Sequence, residues 1–224
     1  MALSIPASEV LFISVVIPTY NRPASLRDAI LSLYAQDYPK DRYEVIIIDD
    51  GSEDSTADVV SRLDREVPRL HYEKQANQGA AAARNRGARL AQGDILLYTD
   101  DDCAPDPACL SSVARAMELN PSAGMIACRI VEAQKGLLAK CHTISQYSAL
   151  SSTYPGKISY ACGSGMAVRK DLFDQAGGFN ETYQVAEDEE LSLRLREKGS
   201  GIAEKEPITW EDESLIPEDL VHDA

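Results

Sequence analysis

The sequence predicts an α/β protein with a mostly parallel central sheet, on three observations. Apolar, β-branched runs alternate with helix-patterned stretches through the first half of the chain. Each run is apolar at every position rather than every second one, as in strands covered on both faces. Polar residues then gather where the runs stop, the edge at which open α/β sheets bind ligands.

Leu11–Ile17 is the first strand-like run and it stops at Pro18. Pro23 opens a helix with an apolar face of Leu26, Ile30 and Leu33; proline suits a first helical turn because its missing donor would be unpaired there. Val45–Ile48 is a second buried strand, ending in Asp49-Asp50-Gly51-Ser52, and a helix from about Ser55 turns Val59, Val60 and Leu63 inward. Leu70–Glu73 is a short third strand, Gly79–Ala91 an alanine-rich helix, and Ile95–Tyr98 the fourth strand. This alternation implies right-handed βαβ crossovers. Beyond it the rhythm loosens. A helix near Pro107–Asn120 and a strand near Gly124–Cys128 precede an irregular stretch, Val131–Tyr160. Gly165–Arg169 reads as another strand, followed by a short helix and Gly177-Gly178-Phe179. A last helix, Glu187–Lys198, is closed by Gly199.

At 224 residues the chain has room for one substantial domain. A formal charge of −14 and a pI near 4.6 argue against nonspecific binding to nucleic acid or anionic membranes. Any phosphate it holds must be met by local cations, backbone amides or a metal. The five cysteines form no CxxC pair and have no accompanying histidines, so they read as reduced intracellular thiols. Val10–Ile17 is too short to span a bilayer and nothing later is longer. The expectation is a cytoplasmic protein without a transmembrane segment, with peripheral membrane association and oligomerisation left open.

Asp100-Asp101-Asp102, directly after Ile95–Tyr98, is the most telling group. Three adjacent carboxylates repel, and a divalent cation bridging to a phosphate relieves that repulsion with the hard oxygen ligands that Mg²⁺ and Mn²⁺ prefer. The plain alternative is a solvated acidic loop. Dinucleotide and P-loop readings are weak: neither GxGxxG nor GxxxxGK[ST] follows the first strand, and Gly163-Ser164-Gly165 comes late and lacks the third glycine.

Taken in order, Val15–Arg22, Ile46–Ser52, Ala83-Arg84-Asn85-Arg86-Gly87, Asp100–Asp102, Gly163–Arg169, Gly177–Glu181 and Glu187-Asp188-x-x-Leu191-x-x-Arg194 resemble the GT-A glycosyltransferases of the family 2 type. The resemblance covers roughly residues 11–202. It implies a GT-A fold in a single domain, 1–224: a Rossmann-like nucleotide-sugar-binding half at about 10–103, a smaller acceptor and catalytic half at about 104–202, and an acidic tail at 203–224.

The resemblance also implies an inverting transfer from a nucleotide-sugar donor, a UDP-sugar most simply, to a hydroxyl on a glycan, lipid or small molecule, with Mn²⁺ or Mg²⁺ as cofactor. Pro18, Thr19, Tyr20 and Arg22 would line the nucleoside pocket, and Asp50 would accept the uracil N3–H. The competing role for Asp50 is turn chemistry and capping of the next helix. Arg84 would lie near the nucleotide or diphosphate; its alternative is one cation of a solvated Arg84/Arg86/Arg89 face. Asp102 would be the principal metal ligand, with Asp100 and Asp101 on the ribose or the metal shell. Gly163 and Gly165 would let backbone approach the sugar or acceptor. Asp188 matches the base, with Glu187 supporting it, although acidic residues in a first helical turn are favoured by the macrodipole without chemistry.

The chain departs from the family pattern in one place. After Pro207 it reads Ile208–Glu213, with none of the histidines that many relatives place there; three readings stand open, that a carboxylate of Glu211–Glu213 substitutes, that the site assembles only with donor bound, or that metal affinity is weak. Trp210 is read as a core or interface anchor before a sugar platform. The early ending suggests a minimal or partial catalytic domain. Two rivals stand beside the transferase: a catalytically silent nucleotide-sugar-binding scaffold, and a sugar-phosphate nucleotidyltransferase, for which Pro18–Arg22 lacks the needed glycine- and lysine-rich loop.

Overall fold

The computed structural model describes residues 10–64, 67, 69–128, 161–183, 185–197 and 201–202. Their order is β1 (Ile13–Thr19), α1 (Pro23–Tyr34), β2 (Tyr43–Asp49), α2 (Thr56–Leu63), β3 (Leu70–Lys74), α3 (Ala80–Leu90), β4 (Ile95–Tyr98), α4 (Cys109–Leu119), β5 (Ala123–Ala127), β6 (Met166–Arg169), α5 (Lys170–Ala176), α6 (Glu187–Glu197) and β7 (Gly201–Ile202). Every element predicted from sequence within these residues is present, with ends shifted by one or two positions. The two-residue β7 has too little sequence to carry a pattern. The irregular 131–160 stretch, Trp210 and Glu211–Glu213 lie outside the described residues.

The strands form one sheet in the order β3-β2-β1-β4-β6-β5-β7. The first four are parallel, and β6 runs antiparallel to both β4 and β5. The chain steps outward from β1 to β3, then returns through α3 to place β4 on the other side of β1. The crevice between β1 and β4 is therefore the topological switch point at which such sheets bind ligands.

The sheet is covered on both sides, which explains the unbroken apolar runs. Ile13, Val15, Ile17, Val45, Ile47, Ile95 and Leu97 pack with α1, α2 and α4 on one face. Val16, Ile46, Ile48, Leu96, Tyr98, Met166 and Val168 pack with α3, α5 and α6 on the other. The alternation is there in space but is apolar on both counts. Tyr98 anchors the second core against Phe173 and Phe179, with ring centroids 5.6 and 5.0 Å away.

Pro18 does not end β1 as the sequence suggested; the strand continues to Thr19, with Pro18 opposite Ile48. The reason lies in direction. The Val16 carbonyl faces β4, accepting from Thr99 N–H at 3.2 Å, so the proline nitrogen two residues on faces the same way. The ladder with β4 stops at the Val16–Tyr98 pair. The missing donor therefore points beyond the last pair, where no ladder bond is lost.

Helix α3 lies directly on the sheet because of Gly87: a Cβ there would come within 2.3 Å of Val16 Cγ1. Gly87→Ala should cost about 1–3 kcal/mol through overpacking, measured by urea denaturation. Adding Val16→Ala should recover part of the loss; an unchanged midpoint for Gly87→Ala would contradict this packing.

Candidate active site

The end of β1 and the turn after β4 meet across the switch point. Thr19, itself buried, donates its hydroxyl to Asp101 Oδ2 at 2.7 Å. Burial pushes the Asp101 carboxyl above its ordinary range, against the opposing pull of the Thr19 hydrogen bond and Arg22. Arg22 Nη1 lies 3.3 Å from Asp101 Oδ1 and 2.8 Å from Asp102 Oδ2. Those two carboxylates raise the guanidinium pKa, Asp101 more than Asp102. Arg22 and Asp102 are both more than half exposed, at 55% and 56% of their side chains. The acidic triplet is thus not a solvated loop: Asp101 is structural, and Asp102 is presented to solvent beside a mobile-length cation.

The second strand end is built by Asp49 and Asp50 in different ways. Asp49 accepts from Ser52 N–H at 2.6 Å and from the Tyr72 hydroxyl at 2.5 Å; burial, then Asp49 itself, raises the Tyr72 pKa. Asp50 is buried and accepts three hydrogen bonds from the approach to α3: Gln75 Nε2 at 2.8 Å, Gln78 N–H at 2.9 Å and Gly79 N–H at 2.8 Å. Its carboxylate holds the start of α3 rather than capping the helix after it. The local turn role falls to Asp49, whereas Asp50 serves a helix one strand further on. One lone pair on Oδ2 is left for a ligand.

The third group comes from the second half of the chain. Because β6 is antiparallel, its first residue Met166 pairs with Tyr98, the last of β4. Gly163–Gly165, which precede β6, are thereby delivered beside the aspartates. Gly163 N–H donates to Asp188 Oδ2 at 2.7 Å, at the start of α6. Glu189 N–H donates to Asp188 Oδ1 at 2.8 Å. Gly165 turns back on its own segment, with N–H to Cys162 O at 2.9 Å and its carbonyl accepting Cys128 N–H at 2.7 Å.

Arg84 joins these parts. The sequence placed it at the nucleotide or on a solvated helix face. Burial rules out the solvated face: Arg84 is 5% exposed, with Nη2 2.9 Å from Asp100 Oδ1 and Nη1 2.6 Å from Glu187 Oε1. Burial lowers its pKa, and the two carboxylates more than offset that, Asp100 first. Arg86 does lie near the surface, paired with Glu73.

Two further residues hold this region, and sequence reasoning left both without a role. Asn85 donates to Phe179 O at 2.9 Å and accepts from Phe179 N–H at 2.8 Å, stitching the 177–181 loop to α3. Arg194 donates to Ala176 O at 2.6 Å and Gly178 O at 2.7 Å, closing the end of α5, while pairing with Glu190. Both stand inside the motifs that carry the family resemblance. The Glu190/Arg194 spacing of four was a legible signal for the pair; the cross-chain partners were not.

No group of three or more His, Cys, Asp or Glu side chains among the described residues is arranged to hold a metal by itself. The exposed Asp102 and half-open Asp100 nonetheless suit a nucleotide-bound Mg²⁺ or Mn²⁺, which uses one or two carboxylates and takes its remaining ligands from phosphate and water. A cavity of about 740 Å³ lies apart from these groups, between α3, α5 and α6, and is lined by Asn85, Arg89, Glu181 and Arg194. None of the expected nucleotide contacts reaches it. No helix among the described residues is long and apolar enough to cross a membrane.

Comparison with known proteins bears on the family and the fold. The family model for Glycosyl transferase family 2 matches residues 14–177. The chain is 27% identical over 217 residues to the "Probable glycosyltransferase YdaM" of Bacillus subtilis (strain 168), covering 88% of this chain and 51% of that protein. It spans about half the length of that relative. Among solved structures, the mannosyltransferase PcManGT of Pyrobaculum calidifontis, in complex with GDP-Man and Mn²⁺, superposes with a TM-score of 0.64 at 25% identity, over 84% of this chain and 51% of that one. TarS 1-349 of S. aureus in complex with UDP-GlcNAc shares the fold, with a TM-score of 0.67 at 24% identity over 82% of this chain and 53% of that one.

The Asp50 geometry predicts a stability effect that needs no ligand. Asp50→Asn replaces one acceptor oxygen by an amide NH₂ that must face at least one of the three donors, and it should cost about 1–3 kcal/mol as a lower urea midpoint. An unaltered midpoint would show that Asp50 does not hold the start of α3.

Proposed function

Because this chain belongs to glycosyl transferase family 2, we propose that it transfers a sugar from a nucleoside-diphosphate donor to a hydroxyl acceptor, with inversion at the anomeric carbon. The observation that carries this reading is the meeting of two carboxylate sets at one sheet edge. Asp100–Asp102 come from the end of β4, and Glu187 and Asp188 from the start of α6, with Arg84 and Gly163 between them. The GT-A fold, shared with nucleotide-sugar-bound structures, supports it.

In this reading the backbone at Pro18–Tyr20 lines the nucleoside pocket, and the free lone pair of Asp50 accepts the base N–H. A UDP-sugar is the favoured donor. Cytosine has a lone pair at N3 where uracil has a proton, so a carboxylate there disfavours CDP. Asp101, fixed by Thr19, sets the floor beneath the ribose. Arg22 is long and exposed enough to turn from Asp102 to the diphosphate. Asp102, with Asp100, would hold a Mn²⁺ or Mg²⁺ whose charge, when bound, neutralises the departing diphosphate.

The acceptor oxygen forms a bond to the anomeric carbon as the carbon–oxygen bond to the diphosphate breaks, and that electron pair leaves with the nucleoside diphosphate. The acceptor proton goes to the Asp188 carboxylate. Gly163 N–H and Glu189 N–H fix the orientation of that carboxylate and each leave it a lone pair. The acceptor is a hydroxyl of a glycan, lipid or small molecule.

One observation favours a catalytically silent nucleotide-sugar binder: both Asp188 oxygens already accept backbone donors. Two variants separate the readings. UDP with Mn²⁺ should raise the melting temperature of the native chain, by the equivalent of about 2.7 kcal/mol at a hundredfold excess over Kd, and Asp102→Asn should abolish the shift. Survival of the shift in that variant would remove Asp102 from the cation site. Asp188→Asn should keep the shift while transfer falls by about 10²- to 10⁴-fold; equal turnover would rule it out as the base, and no transfer by either protein would establish the silent binder.

A further inference from the structure

We propose that Arg84 is a positioning residue that couples the donor side of the site to the acceptor side, by sharing one buried guanidinium between Asp100 and Glu187. The proposal rests on the donor and acceptor assignments made above.

The geometry sets Arg84 apart from an ordinary ion pair. Its two terminal nitrogens serve two carboxylates that come from distant parts of the chain, 16 and 103 residues away in sequence. Asp100 opens toward solvent with 35% of its side chain exposed, whereas Glu187 has 14% and the guanidinium 6%. The cation is thus enclosed and one of its partners is not. A planar fork presents a separate nitrogen to each carboxylate in fixed directions; the compact, freely rotating ammonium of a lysine does not.

The surroundings leave the guanidinium little room to move. A Cβ at Gly163 would stand 3.1 Å from Arg84 Cζ, so the backbone of that loop lies against the group. The Phe179 ring centroid is 5.7 Å from Cζ. Gly163 is also the residue whose N–H holds Asp188. Any shift of the guanidinium is therefore felt both at Asp100, beside the cation-binding Asp102, and at the segment orienting Asp188.

The coupling follows from charge sharing. One positive charge divided between two carboxylates binds each less firmly than it would bind either alone. If Glu187 loses its charge, Arg84 falls wholly to Asp100 and holds it back from the donor. If a donor draws on Asp100, Arg84 falls more fully to Glu187 and fixes the start of α6. Linkage makes these effects reciprocal. Donor binding would then prepare the acceptor side.

The test uses the full chain and UDP with Mn²⁺ as probe (GDP where UDP does not bind), with affinity read by calorimetry and folding by far-UV circular dichroism and ligand-free melting. Glu187→Gln should weaken nucleotide binding about five- to tenfold, although Glu187 touches no donor group in this reading. Glu190→Gln, which removes a charge from the same helix but only from the Arg194 pair, should stay within about twofold of the native chain. In an Arg84→Lys background, Glu187→Gln should add less than about a twofold effect. A merely structural Arg84 would lower melting temperatures and leave nucleotide affinity alone. Nucleotide affinity indifferent to Glu187→Gln overturns this inference by itself, even if Arg84→Lys fails to fold. A native chain that binds neither nucleotide overturns the donor assignment and this inference with it.

Discussion

One constraint organises the molecule: β6 enters the sheet antiparallel between β4 and β5. A parallel strand in that place would start at the far edge and carry Gly163–Gly165 away from the aspartates. The reversed direction sets the beginning of β6 against the end of β4. The following α5 and α6 then complete the second core through Phe173, Phe179, Leu191 and Leu195, and α6 starts where Gly163 can reach Asp188. The first four strands supply a sheet edge, and this one reversed strand brings the second part of the chain to it.

Electrostatics follows the same plan. A chain with net charge −14 concentrates carboxylates where strands end, and two arginines keep them in place by different means. Arg22 is at the surface and its pairs there contribute little to stability. Arg84 is enclosed, and losing it would leave the largely buried Glu187 carboxylate without its cation, a loss on the order of 3–5 kcal/mol. An exposed cation can exchange carboxylates for phosphate as a ligand arrives; an enclosed one can only redistribute its hold.

Much of this was legible in the sequence. The strands announced themselves because both faces are buried, and Ile95–Tyr98 matches the structure residue for residue. The acidic triplet and Glu187-Asp188 were identified as one site through the order of their motifs, and the structure brings them together. Partners across the chain were not readable. Arg84 could not be told from one of three helix-face cations, because its burial depends on the Gly163 loop and on Phe179, both far away in sequence. For Asp50, the alternative to a base-binding role was the cap of the helix following it, since turn chemistry is local, whereas its hydrogen bonds go to residues beyond β3. The continuation of β1 through Pro18 also depends on where a neighbouring strand ends.

The place of β6 also governs how the chain can be divided. A fragment ending near residue 103 would keep β1–β4 and the three aspartates. It would also turn β4, whose four residues are all buried in the whole chain, into an open edge of unpaired backbone. Such an apolar edge invites pairing with another copy. The first four strands therefore depend on β6 to cover their open edge, and the chain cannot be cut after the aspartates without exposing it.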